Sequence, residues 1–143
     1  MNRSLCDYSY GEQSHKYMLG LYNLLEDLTN EFPNVLFEGC SSGGGRFDTG
    51  MLYYHPQIWC SDNTDCYDRT FIQYGTSFIY PVSTMACHVS TVPNHMTGRN
   101  STMEDRGIVA SQGILGYELD LSKLSSEEKK QVCNQISKYR EME

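Results

Sequence analysis

Residues 35–68 read VLFEGCSSGGGRFDTGMLYYHPQIWCSDNTDCYD. Two short apolar runs stand out, Val35-Leu36-Phe37 and Gln57-Ile58-Trp59. Each breaks into small and polar residues: Glu38-Gly39-Cys40-Ser41-Ser42-Gly43-Gly44-Gly45 after the first, Ser61-Asp62-Asn63-Thr64-Asp65 after the second. Buried strands that end in polar, Gly-rich loops are how α/β proteins present chemistry at the carboxyl ends of their strands.

Working outward, residues 11–32 carry Tyr17, Leu21, Leu24, Leu25, Leu28 and Phe32 at spacings of three and four, which predicts a helix stopped by Pro33. Downstream, a turn or two of helix is expected over 46–55 and a strand over 58–60. A helix over 65–80 follows, with Phe71, Tyr74 and Phe78 on one side and Pro81 as its stop. Residues 84–89 read as a strand, 90–100 as a loop, 102–115 as a helix weakened by Gly107 and Gly113, and 117–121 as a strand. Ser125 and Glu128 form a capping box before a last helix whose inward face is Val132, Ile136 and Tyr139. The alternation of helix and strand predicts an α/β fold with a parallel sheet. A full (β/α)8 barrel takes about 250 residues, so 143 residues correspond to a little over half of one.

The chain carries 11 Lys+Arg against 18 Asp+Glu, a formal charge of −7. The basic residues are scattered, which argues against a nucleic-acid footprint. No apolar run approaches the roughly 20 residues of a membrane span, and residues 1–13 lack the apolar core of a signal peptide. The six cysteines form no CxxC pair and are spread through expected strands and helices. They read as reduced thiols of a cytoplasmic protein rather than a disulfide framework.

Three constellations could carry chemistry. Asp62 lies just past a strand end, three residues after Trp59, where neighbouring aromatic and apolar groups would favour the protonated acid. The competing reading is that Asp62 caps the next helix, and SDNTD supplies several such caps. The triple glycine of residues 40–46 would let backbone N–H groups approach a phosphate or sugar hydroxyls, or would simply form a tight turn. It has neither nucleotide-loop spacing. His55, His88 and His95, with Cys40, Cys60, Cys66 and Cys87, are chemically able to bind metal, yet no pair shows short zinc spacing, so no metal site is expected. A Cys87–His88 dyad fails because strand neighbours point to opposite faces.

The long motifs CSSGGGRFDTGMLYY, WCSDNTD and VPNHMTGR, with the strings around them, span nearly the whole chain. They resemble the bacterial α-galactosidases of glycoside hydrolase family 36, the melibiase type. The resemblance implies the C-terminal half, strands five to eight, of a (β/α)8 TIM barrel. An N-terminal β-sandwich, the first barrel half and a C-terminal β domain are then expected to be absent from residues 1–143.

It implies hydrolysis of terminal α-galactosyl groups from melibiose, raffinose and related oligosaccharides with retention, in an enzyme that is often homo-oligomeric and needs no cofactor. Asp62 takes the position of the catalytic acid/base. Cys40 and Gly43 fall on residues lining the galactose subsite, and Trp59 on an aromatic that packs there. The family usually has a longer glycine run where Ser42 stands, and commonly Thr where Cys60 stands. The family's nucleophile is the Asp of a D-M-N-R motif, and the chain starts Met1-Asn2-Arg3, so the nucleophile is expected just before Met1 and the isolated chain is expected to be inactive. A non-catalytic sugar-binding or assembly module built from paired half-barrels is the alternative.

Overall fold

The structure, a computed structural model, describes residues 11–142. The readings of residues 1–10, including Met1-Asn2-Arg3 and Cys6, lie outside the described residues.

Helix α1, Glu12–Glu31, ends where Pro33 disfavours helical backbone at Phe32. Leu25 is buried and Tyr17, Leu21 and Leu28 are half-buried, but Leu24 and Phe32 face outward. The first strand, β1, is Glu38–Gly39 rather than the expected 35–37. The chain is still turning there: the Val35 amide donates to the Phe32 carbonyl at 3.0 Å, and Val35 and Leu36 are 53% and 65% exposed. A single turn, α2 (Ser41–Gly44), then leads to α3 (Thr49–Tyr54), capped by the Asp48 carboxylate.

Strand β2 is Gln57–Trp59, α4 is Cys66–Ser77, β3 is Met85–Ser90 and α5 is Met103–Ala110, capped by Thr102. The helix expected to reach 115 stops at Ala110, and β4 runs over Ile114–Glu118 instead of 117–121. Gly113 explains the early start: a Cβ there would sit 2.7 Å from both the Met85 carbonyl oxygen and the Cys87 sulfur, so only glycine lets the chain enter the sheet at that point. The capping box forms as expected, with the Ser125 amide donating to Glu128 at 2.8 Å, and α6 (Ser126–Met142) follows.

The sheet is parallel throughout in the order β1-β2-β3-β4. Strand order equals chain order, so the sheet is wound in one direction, as in a barrel, and not in two as in a Rossmann sheet. Right-handed crossovers then place the helices on one face. That face holds the core. Met85, Cys87 and Val89 of β3 pack on Met103 and Ala110 of α5 and Val132 of α6; Ile58 of β2 packs on Leu25 of α1 and Met51 of α3. The alternate residues Trp59, Ala86, His88 and Gly116 lie on the opposite face.

One element is turned inside out relative to its hydrophobic pattern. On α4, Phe71, Tyr74 and Phe78 are 79%, 65% and 73% exposed, and the buried side chains are Cys66, Arg69 and Gln73. Gln73 anchors the helix by donating to the Val109 carbonyl of α5 at 3.0 Å. On this helix, hydrogen-bonding side chains rather than aromatics thus face the other described residues.

Candidate active site

All four strands deliver their carboxyl ends to one side, and the loops after β1, β2 and β3 meet there. The loop after β2, Cys60 to Asp65, is braced from within. Ser61 Oγ accepts from the Asn63 amide at 3.1 Å, Asn63 Oδ1 accepts from the Asp65 amide at 3.0 Å, and Asn63 Nδ2 donates to Asp68 at 2.8 Å. The cap of α4 is Asp65, whose carboxylate accepts from the amides of Tyr67 and Asp68, each at 3.1 Å. Asp62 is therefore not the cap. Its side chain takes no part in the bracing and is exposed, so the desolvation anticipated from Trp59 is not supplied by the described residues.

The loop after β1 folds over this end. Ser41, Ser42, Gly43 and Gly44 have φ of 52°, 59°, 71° and 85°, a left-handed run. It is closed by the Gly44 amide donating to the Cys40 carbonyl at 2.8 Å and Gly45 to Ser41 at 3.1 Å. For serine this backbone costs roughly 1–2 kcal/mol per residue. The glycines are needed for contact as well as conformation. A Cβ on Gly43 would lie 2.7 Å from the Asp62 amide nitrogen and 3.2 Å from its carboxyl carbon; one on Gly44 would lie 2.9 Å from the Cys60 carbonyl oxygen. Gly43 and Asp62 are thus brought together. Cys40, exposed, starts the turn that makes this contact.

Trp59 is buried at the same end. Its ring centroid is 4.5 Å from that of His88, and the Arg69 guanidinium carbon is 4.3 Å from it. Burial holds the His88 ring below its ordinary pKa of 6.5, against the pull of Glu38 and Glu118, so the ring beside Trp59 is neutral at pH 7. Burial, with Cys60 nearby, pushes the Cys87 thiol up to about 12, which leaves it protonated and unfit as a nucleophile. His55 is buried under β1, and His95 is exposed in the loop after β3.

The loop after β3 completes the frame. Asn94, buried, donates to Thr64 Oγ1 at 3.0 Å and accepts from the amides of Met96 and Thr97. Thr97 donates to Asp65 at 2.9 Å, and Arg99 pairs with both Asp65 and Asp68. Burial would raise the Asp65 carboxyl; hydrogen bonds from the Asp68 amide and Thr97, with the Arg99 charge, outweigh it and hold the group below its ordinary value. The NHMTGR stretch is thus the buttress of the SDNTD loop. Sequence reasoning missed Arg69 and Arg99; the only signals were one arginine amid the aromatics of 65–80 and another closing the VPNHMTGR motif.

The melibiase family model matches residues 2–143. The bifunctional α-galactosidase/sucrose kinase AgaSK of Mediterraneibacter gnavus is 57% identical over 143 residues, covering 100% of this chain and 15% of that protein. Its galactosidase domain superposes with a TM-score of 0.93, over 99% of this chain and 20% of that one. A variant of the α-galactosidase AgaA from Geobacillus stearothermophilus, solved with raffinose, gives 0.89 at 51% identity over 96% of this chain and 20% of that one. The chain spans between a seventh and a fifth of the length of these relatives, and across that span it belongs to the melibiase family.

Proposed function

We propose that residues 1–143 form strands five to eight of the catalytic (β/α)8 barrel of a retaining α-galactosidase, with Asp62 as its acid/base. The observation that carries this is the contact of Gly43 with Asp62, together with Asp65 taking the helix cap. A carboxylate freed from capping stands against a loop built for close approach. Protonated Asp62 donates to the leaving glycosidic oxygen while a second carboxylate attacks the anomeric carbon. It then takes the proton of the water that hydrolyses the glycosyl-enzyme.

The second carboxylate has to lie about 5–5.5 Å from the first. Asp65 and Asp68 are engaged by α4 and Arg99, so on this reading the nucleophile comes from another part of the barrel. Cys40 and Gly43 line the galactose subsite, and Trp59 forms its floor. Substrates are terminal α-galactosides such as melibiose and raffinose, in a cytoplasmic and homo-oligomeric enzyme. The Cys60 thiol accepting from Arg69 is in keeping with a reduced setting.

The test replaces the matching segment of the Mediterraneibacter gnavus enzyme with residues 1–143. The chimera is expected to cleave raffinose, and Asp62→Asn to lower kcat/KM by about 10²–10⁴-fold. Azide is expected to restore turnover of an aryl galactoside with a good leaving group, because azide needs no general base. The isolated chain is expected to turn over neither. Raffinose cleavage by the Asp62→Asn chimera at the unsubstituted rate would refute the assignment.

A further inference from the structure

We infer that Arg69 is the positioning residue of Asp62, an inference that rests on the acid/base reading above. Its guanidinium is buried, with the residue 3% exposed, and among the described residues its hydrogen bonds and ring contact fall on residues 59–63. Nε donates to the Asn63 carbonyl at 2.7 Å and Nη2 to the Ser61 carbonyl at 2.7 Å. Nη1 donates to Cys60 Sγ at 2.9 Å, and the guanidinium carbon lies over the Trp59 ring, 4.3 Å from its centroid. The Ser61–Asp62 peptide and the Asn63–Thr64 peptide, which flank Asp62 and its neighbour, are thus held by one rigid fork. The Asp62 side chain itself is left free to point at substrate.

The same fork fixes the Trp59 ring, so the subsite floor and the proton donor are set by one group. Its base is fixed in turn, because α4 begins at the Asp65 cap that Arg99 and Thr97 clamp. A lysine cannot replace this arrangement. A single ammonium on a flexible stem does not span two carbonyls in a defined plane.

A misplaced acid has a specific kinetic signature. Proton donation matters most when the leaving group is a poor one, as the sugar alkoxide of raffinose is. It matters least for a 2,4-dinitrophenyl galactoside, whose leaving group needs no proton. In the chimera described above, Arg69→Lys and Arg69→Gln are expected to lower kcat/KM on raffinose by about 10²-fold. On the dinitrophenyl substrate the fall is expected to be under about 10-fold, with azide raising its turnover as for Asp62→Asn. Far-UV circular dichroism and thermal melts accompany each variant.

An equal fall on both substrates, or no fall on either, overturns the inference. So does failure of both variants to fold, which would assign Arg69 to the fold alone. If Asp62→Asn shows no leaving-group dependence, the acid/base reading itself fails and this inference falls with it. If Asp62→Asn shows the dependence and the Arg69 variants do not, only the inference about Arg69 fails.

Discussion

Gly43 shows how narrow the tolerance at a single residue can be. Its φ of 71° lies in the left-handed region, and a Cβ there would lie 2.7 Å from the Asp62 amide nitrogen. Gly43→Ala meets both obstacles. It is expected to destabilise the fold by about 1–2 kcal/mol and to push Asp62 aside, lowering raffinose hydrolysis about 10²-fold. Ser42→Gly, at φ 59°, relieves the same strain and is expected to stabilise by about 1 kcal/mol. Urea unfolding of the chain and raffinose kinetics in the chimera measure both. The sequence could mark SDNTD as a loop with several caps but could not choose among them. The choice depends on how far the loop travels before α4 starts, and that distance is set by Arg69, Asn94 and Arg99 from elsewhere in the chain.

At the scale of elements, hydrophobic period and capping residues located the long helices α1 and α6 and the buried strand β3. They failed where another force decided the outcome. Val35 and Leu36 are apolar yet exposed, because the turn after Pro33 occupies them and β1 starts only at Glu38. The start of β4 depends on the space Gly113 leaves against β3, which no periodicity reports. Helix α4 gives the sharpest contrast. Its aromatic stripe has the spacing of a core face, but the side chains that meet the carbonyls beneath the helix, those of Ser61 and Asn63 in the loop after β2 and Val109 of α5, are Arg69 and Gln73. Replacing Phe71, Tyr74 and Phe78 together with serine is therefore expected to cost under about 1 kcal/mol, mostly the Tyr74–Phe78 ring contact. Ile58→Ala, at a side chain 1% exposed, is expected to cost about 2–5 kcal/mol. Urea melts of the two variants side by side distinguish these cases; a loss for the triple variant as large as for Ile58→Ala would place the stripe in the core.

Across the whole molecule, the alternation of helices and strands was enough to give a parallel sheet, and the consecutive strand order gives its single direction of winding. That winding gathers three loops, distant in sequence, at one end. The convergence lets Asn94, Thr97 and Arg99 of VPNHMTGR brace the loop that bears Asp62. It also gives the molecule two faces of different character. The helix-side face is packed with Met85, Cys87, Val89 and Ile58, and the other holds the mixed row of Trp59, His88 and Gly116.

The Trp59–His88 ring contact on that second face has an optical consequence. Trp59 is the chain's single tryptophan, so the chain's indole emission originates beside a neutral imidazole and a guanidinium. The folded His88 pKa lies below 6.5; the ring therefore stays neutral at pH 7 and gains its proton only as pH falls past 6.5 toward that lower value. An imidazolium is a far better electron acceptor from excited indole than the neutral ring. Indole emission is expected to fall over that acid window and to stay flat in His88→Gln. A fall that persists in His88→Gln would assign the quenching elsewhere. Within these 143 residues, indole emission thus reports on the surroundings of His88 without a label.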